Sequence, residues 1–169
     1  MSVTLYDVCI PVLMRGLTNL SSLLDKAVAH ADAKKIDHAA LLQARLFPDM
    51  LPFTRQVQIV CDTAKGAASR LAGIENPKHE DNEASFAELQ ARIAKTKAFV
   101  AAVQPAQFQN AESREIVLKF PSNTLTFNGL SYLTGYALPN FFFHSSIAYA
   151  LLRNNGIELG KRDFLGAIQ

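Results

Sequence analysis

Between Leu130 and Leu152 the chain carries no Asp, Glu, Lys or Arg, yet Asn140 and His144 lie inside that run, four residues apart. A segment this apolar is either a membrane span, for which about 20 residues suffice, or the central helix of a buried bundle. Ser131, Thr134, Ser145, Ser146 and the mid-segment Pro139 argue for the bundle, and no comparable second span exists. At helical spacing Asn140 and His144 share a face with Ala137, Ile147, Ala148 and Leu151. A polar pair on a face that is otherwise buried requires partners, so it is the clearest pointer to a site.

The periodicity elsewhere is helical. Leu5, Val8, Cys9, Val12, Leu13, Leu17, Leu20, Leu24 and Ala27 recur every three or four residues, predicting a first helix from Thr4 to His30. Pro11 should bend that helix or delay its regular start. A short helical piece is expected at His38–Arg45. A second helix from Pro52 to Ala72 has Phe53, Val57, Val60, Ala64, Ala67 and Leu71 inward, with Asp49 as a cap near its start and Gly73 closing it. Gln58, Asp62, Lys65 and Ser69 form a separate polar stripe expected to face water. Ser85-x-x-Glu88 resembles a capping box opening a third helix, with Phe86, Leu89, Ile93, Val100 and Val103 inward. EIVLKF and TLTF around Pro121-Ser122-Asn123 read as a β-hairpin, after which Asn128 caps a fourth helix ending at Asn154 and Gly156. The expected fold is all-α: an antiparallel four-helix bundle with a small hairpin between helices three and four, in one domain over residues 1–169. The tail after Gly156 should fold back over the bundle, with Lys161, Arg162 and Asp163 as a solvated charge cluster.

Charge excludes some partners. Seventeen basic and 15 acidic residues leave a net charge of +2, with no basic block and no interleaved aromatics, so nucleic-acid binding is not expected. Cys9 and Cys61 both fall in apolar stripes, which fits buried reduced thiols in a cytoplasmic protein better than a disulfide. Asp7 stands where a signal peptide would carry basic charge, so neither export nor membrane insertion is expected.

His144 has two readings. It is either a neutral core histidine satisfied by Asn140, a backbone carbonyl or water, or it lines a polar pocket within the bundle, which Pro139 would help open by kinking the helix. Gln56, beside the inward stripe of the second helix, is the best partner across the bundle, although it also fits a purely interhelical hydrogen bond. His30, His38 and His79 are expected at the surface. No P-loop, G-x-G-x-x-G, G-x-S-x-G, C-x-x-C or H-E-x-x-H occurs.

PDMLPFTRQVQIVCD, SRLAG and above all LPNFFFHSSIAYALLRNNGIELGKRDFLG resemble the DinB/YfiT-like superfamily of four-helix bundles, and within it an uncharacterised bacterial branch built on a domain of unknown function. The resemblance spans essentially the whole chain. It implies a divalent-metal site of three histidines, one on the second helix and an H-x-x-x-H pair on the last, upstream of a Leu-Arg-x-x-Gly ending. Leu152-Arg153-Asn154-Asn155-Gly156 matches that ending, which places His144 on the second histidine of the pair and Asn140 on the first. No histidine lies between His38 and His79, so the helix-two ligand is missing and Gln56 is its nearest equivalent. One imidazole and two neutral amides make a poor donor set for zinc or nickel. The expectation is therefore a degenerate site that binds no metal, lined by His144, Asn140 and Gln56 and open to a small-molecule ligand. Two alternatives stand beside it. One is a divalent-metal-dependent transferase or hydrolase of the superfamily type using His144, its metal completed by a residue such as Asp49; the other is a homodimeric interaction protein.

Overall fold

The computed structural model describes residues 3–167. Helix α1 (Leu5–Lys34) opens on a reciprocal cap, with the Asp7 N–H donating to Thr4 Oγ1 and the Thr4 N–H to the Asp7 carboxylate. It continues a turn past His30, and Pro11 sits inside it without delaying its start. Because α1 packs against α4, α6 and α7, its buried face widens to include Ile10 and Leu23, while Val8, expected inward, is exposed.

A short α2 (His38–Leu42) precedes α3 (Phe53–Ala72), which starts behind Pro52 with no side-chain cap. Asp49 is exposed and caps nothing, because three residues separate it from the first helical N–H groups. Gly73 ends α3 at φ 68°, the left-handed conformation that only glycine adopts without penalty. In α4 (Phe86–Ala102) Ser85 accepts from the Glu88 N–H, but the Glu88 carboxylate takes the Ala84 N–H, one residue short of the reciprocal box. A 3₁₀ turn leads to β1 (Glu115–Lys119) and β2 (Thr124–Asn128), an antiparallel hairpin with Val117 opposite Thr126.

The expected fourth helix is divided. Asn128 caps α5 (Gly129–Tyr132), a π turn covers Leu133–Ala137, and α6 (Leu138–Asn154) follows. Pro139 explains the interruption, since it has no N–H to give the Gly135 carbonyl and its ring would crowd that turn. The widened turn, in which the Leu138 N–H reaches the Leu133 carbonyl, carries the chain past it. α3 packs on α4 and α6, and α1 on both, closing the four-helix bundle. Among the described residues no helix is long and apolar enough to cross a membrane. Cys9 and Cys61 are free and buried, which pushes each thiol up to about 12. The tail folds back as α7 (Lys161–Leu165), where Asn19 donates to the Phe164 carbonyl. Asp163, expected in a solvated cluster, instead ties the tail down by pairing with Lys26 at 2.6 Å and accepting the Gly160 N–H.

The polar stripe of α3 does not face water. Gln58, Lys65 and Ser69 are buried, and Asp62 pairs at 2.8 Å with Arg92 of α4. Arg92 also pairs with Asp81 at 3.0 Å and Glu83 at 2.9 Å, so the loop between α3 and α4 closes over a buried guanidinium. His79, a residue of that loop expected outside, is half-buried with both ring nitrogens sealed. His30 and His38 are half-buried, and His38 bonds to Asp32.

Candidate functional site

Two pairs of neutral side chains cross from α6 to α3. Asn140 Nδ2 donates to Thr63 Oγ1 at 2.9 Å, and His144 Nδ1 lies 2.7 Å from Gln56 Oε1. Moving along α6 from 140 to 144 reverses direction along α3, from 63 to 56, as antiparallel packing requires. The structure thus brings His144 and Gln56 together as expected, but Asn140 partners Thr63 rather than the histidine. Thr63 was not singled out from the sequence; its place on α3, seven residues after Gln56 and so on the same face, was the available signal.

The protonation of His144 follows from its neighbour. Gln56 is buried, and its Nε2 donates to the Leu51 carbonyl at 3.0 Å, which fixes its amide with Oε1 towards the imidazole. An amide oxygen only accepts, so His144 Nδ1 carries the proton and Nε2 holds the lone pair. Burial lowers the His144 pKa from its ordinary value, which favours this neutral ring at pH 7. Nε2 has no partner among the described residues and is not sealed from solvent. The ring of Phe143, itself 56% exposed, stands edge-on to the imidazole at 5.1 Å.

The donor set does not suit the metal that the resemblance implies. Among the described residues no three His, Cys, Asp or Glu side chains come together in a way that could hold an ion. Asn140 and Gln56 are neutral amides, each already engaged with another group, and Asp49 is exposed in a turn before α3. One imidazole lone pair remains, too little for a divalent transition metal.

Residues 5–165 match the family model described as domain of unknown function DUF1993. The chain belongs to the DUF1993 family. It is also similar to a DinB family member protein from Shewanella denitrificans, known from a crystal structure. The two are 41% identical with a TM-score of 0.89, over 97% of this chain and 93% of that one. No curated protein matches. A DinB-like helical bundle in an uncharacterised family is therefore what this DUF1993 chain shows.

Acid should unfold the protein in two stages. His144 and His79 both have lowered pKa values, through burial and, for His79, also the charges of Lys65, Lys95 and Arg92. As pH falls, the unfolded chain takes up these protons first, so stability declines below about 6.5. For Asp81 and Glu83 burial acts upward, but Arg55 and Arg92 at Asp81, and Arg92 with the Gln58 amide at Glu83, outweigh it, and both end below their ordinary values. Their contribution, present above about 4.5, is lost at lower pH. Urea midpoints should fall from about pH 7.5 to 5.5 and again to 3.5; a midpoint higher at 5.5 than at 7.5 would contradict the histidine assignment.

Proposed function

We propose that the protein is a small-molecule-binding bundle in which His144 Nε2 accepts a hydrogen bond from the ligand and no metal ion takes part. The orientation of the Gln56 amide carries this reading, because it holds Nδ1 protonated and leaves a bare acceptor at the open edge of the ring. A hydroxyl or N–H group on the ligand is the matching donor. The same lone pair would serve a general base, but catalytic bases are commonly steered by a charged partner, whereas Gln56 is neutral. Binding is therefore the favoured reading.

Native mass spectrometry and elemental analysis of untagged protein, prepared without chelator, test it. Wild type is expected to hold far less than one metal ion per chain and to retain an organic molecule that His144→Ala loses. Near-stoichiometric zinc, nickel, iron or manganese, absent from His144→Ala, would overturn the reading. The variant should fold with a loss of about 1–3 kcal/mol, since Gln56 Oε1 is left without its donor.

A further inference from the structure

A cleft of about 270 Å³ opens between α3, the π turn and strand β1. It meets the first site at the Asn140–Thr63 pair but not at His144 or Gln56, and the inference drawn from it stands independently of the His144 reading. Its charges are unbalanced. Arg70 and Lys119 line it, and neither pairs with a carboxylate among the described residues. The acidic side chain in the lining, Asp62, is already neutralised by Arg92 at 2.8 Å and Lys65 at 3.3 Å. The cleft is therefore electropositive and suited to an anion.

The position of Arg70 is built into α3. Glycine inside a helix costs about 1 kcal/mol relative to alanine, yet Gly66 lies buried in the middle of this one. A Cβ on Gly66 would overlap the Arg70 Nη1, so the missing side chain is the space in which the guanidinium lies. From there Nη1 donates to the Tyr132 hydroxyl at 3.1 Å, with the guanidinium carbon 5.9 Å from the ring centre. The guanidinium's remaining N–H groups have no partner among the described residues, and a planar fork of this kind matches a carboxylate.

Aromatic rings line the cleft beside Arg70. Tyr132 and Tyr136 stack at 6.0 Å with planes 20° apart, and Phe120 lies 6.5 Å from Tyr136. At about 270 Å³ the cleft has room for a one-ring molecule. We infer that the cleft between α3, β1 and the π turn binds a small aromatic carboxylate, its carboxylate on Arg70 and its ring against Tyr136.

Amide NMR titration with benzoate, and with benzyl alcohol as a neutral molecule of similar size, tests this. Benzoate is expected to give saturable shifts centred on Arg70, Lys119, Phe120 and Tyr136 with Kd near about 1 mM, and benzyl alcohol to bind at least about tenfold more weakly. Arg70→Gln should lose benzoate binding by about tenfold or more. Gly66→Ala should do the same while keeping or raising Tm, because its methyl displaces only the flexible end of Arg70; it decides the matter if Arg70→Gln fails to fold. The inference is overturned by absence of saturation at about 20 mM benzoate, by equal binding of benzyl alcohol, or by a Gly66→Ala variant that binds as wild type. Shifts centred on Gln56 and His144 would also overturn it while supporting the first site.

Discussion

Arg92→Met should destabilise the protein by about 3 kcal/mol at neutral pH and by much less near pH 4. The guanidinium is 3% exposed and sits among Asp62, Asp81 and Glu83, which α3 and the following loop hold within 3.0 Å of it. Removing it leaves three carboxylates close together with no opposing charge beyond Arg55 on Asp81 and Lys65 on Asp62. Breaking a buried pair this way typically costs about 3–5 kcal/mol. The lower end applies because Asp62 and Asp81 each keep 38% of their side-chain exposure. In the variant mutual repulsion raises the carboxylate pKa values, so protonation now relieves the folded state, reversing the wild-type dependence. Equilibrium unfolding in urea at both pH values checks this. An equal loss at pH 7 and pH 4 would mean that Arg92 acts through packing of its stem rather than its charge.

This cluster also marks where reading the sequence stops. Periodicity located the inward faces of α1, α3 and α4 because apolar residues at three- and four-residue spacing have one destination, the core. A polar stripe has two, water or another polar stripe. Nothing within α3 distinguishes a solvated Gln58 and Lys65 from the buried ones found here; the deciding partners include Arg92 on α4, which takes Asp62, and Asn76 and Glu83 of a loop that reads as ordinary surface. The same holds for His79, whose ring nitrogens are sealed although it lies in a loop whose composition suggests exposure. Pro139 signalled a kink in a continuous helix four, but not the division by a π turn upstream of it. Gln56 was legible because its register beside the core stripe of α3 leaves its amide little to face except α6. The choice of Thr63 rather than His144 by Asn140 depends on how far α3 and α6 slide past one another, which is a tertiary quantity.

The seating of α6 against α1 depends on one phenylalanine, and its removal is the second large effect. Phe141→Ala should cost about 3–5 kcal/mol, whereas Phe143→Ala should change stability by less than about 0.5 kcal/mol. Three successive phenylalanines precede His144, but helical geometry turns them to different sides: Phe141 is fully buried, while Phe142 is 38% and Phe143 56% exposed. The Phe141 ring occupies the space where Gly16 would carry a Cβ, so α1 and α6 meet through an aromatic ring seated on a bare helix surface. Alanine there opens a cavity flanked by Leu20 and Leu23 that α1 cannot fill without moving toward α6. Such a shift would carry Asn140 and His144 with it, since both lie within one turn of Phe141. Thermal unfolding reads the stability of both variants. The His144 titration, followed by NMR, reads the site: in Phe141→Ala it should move up towards about 6.5 as the ring gains water. A large loss of stability with the His144 titration unchanged would instead show that α3 alone, through Gln56, holds the imidazole in place.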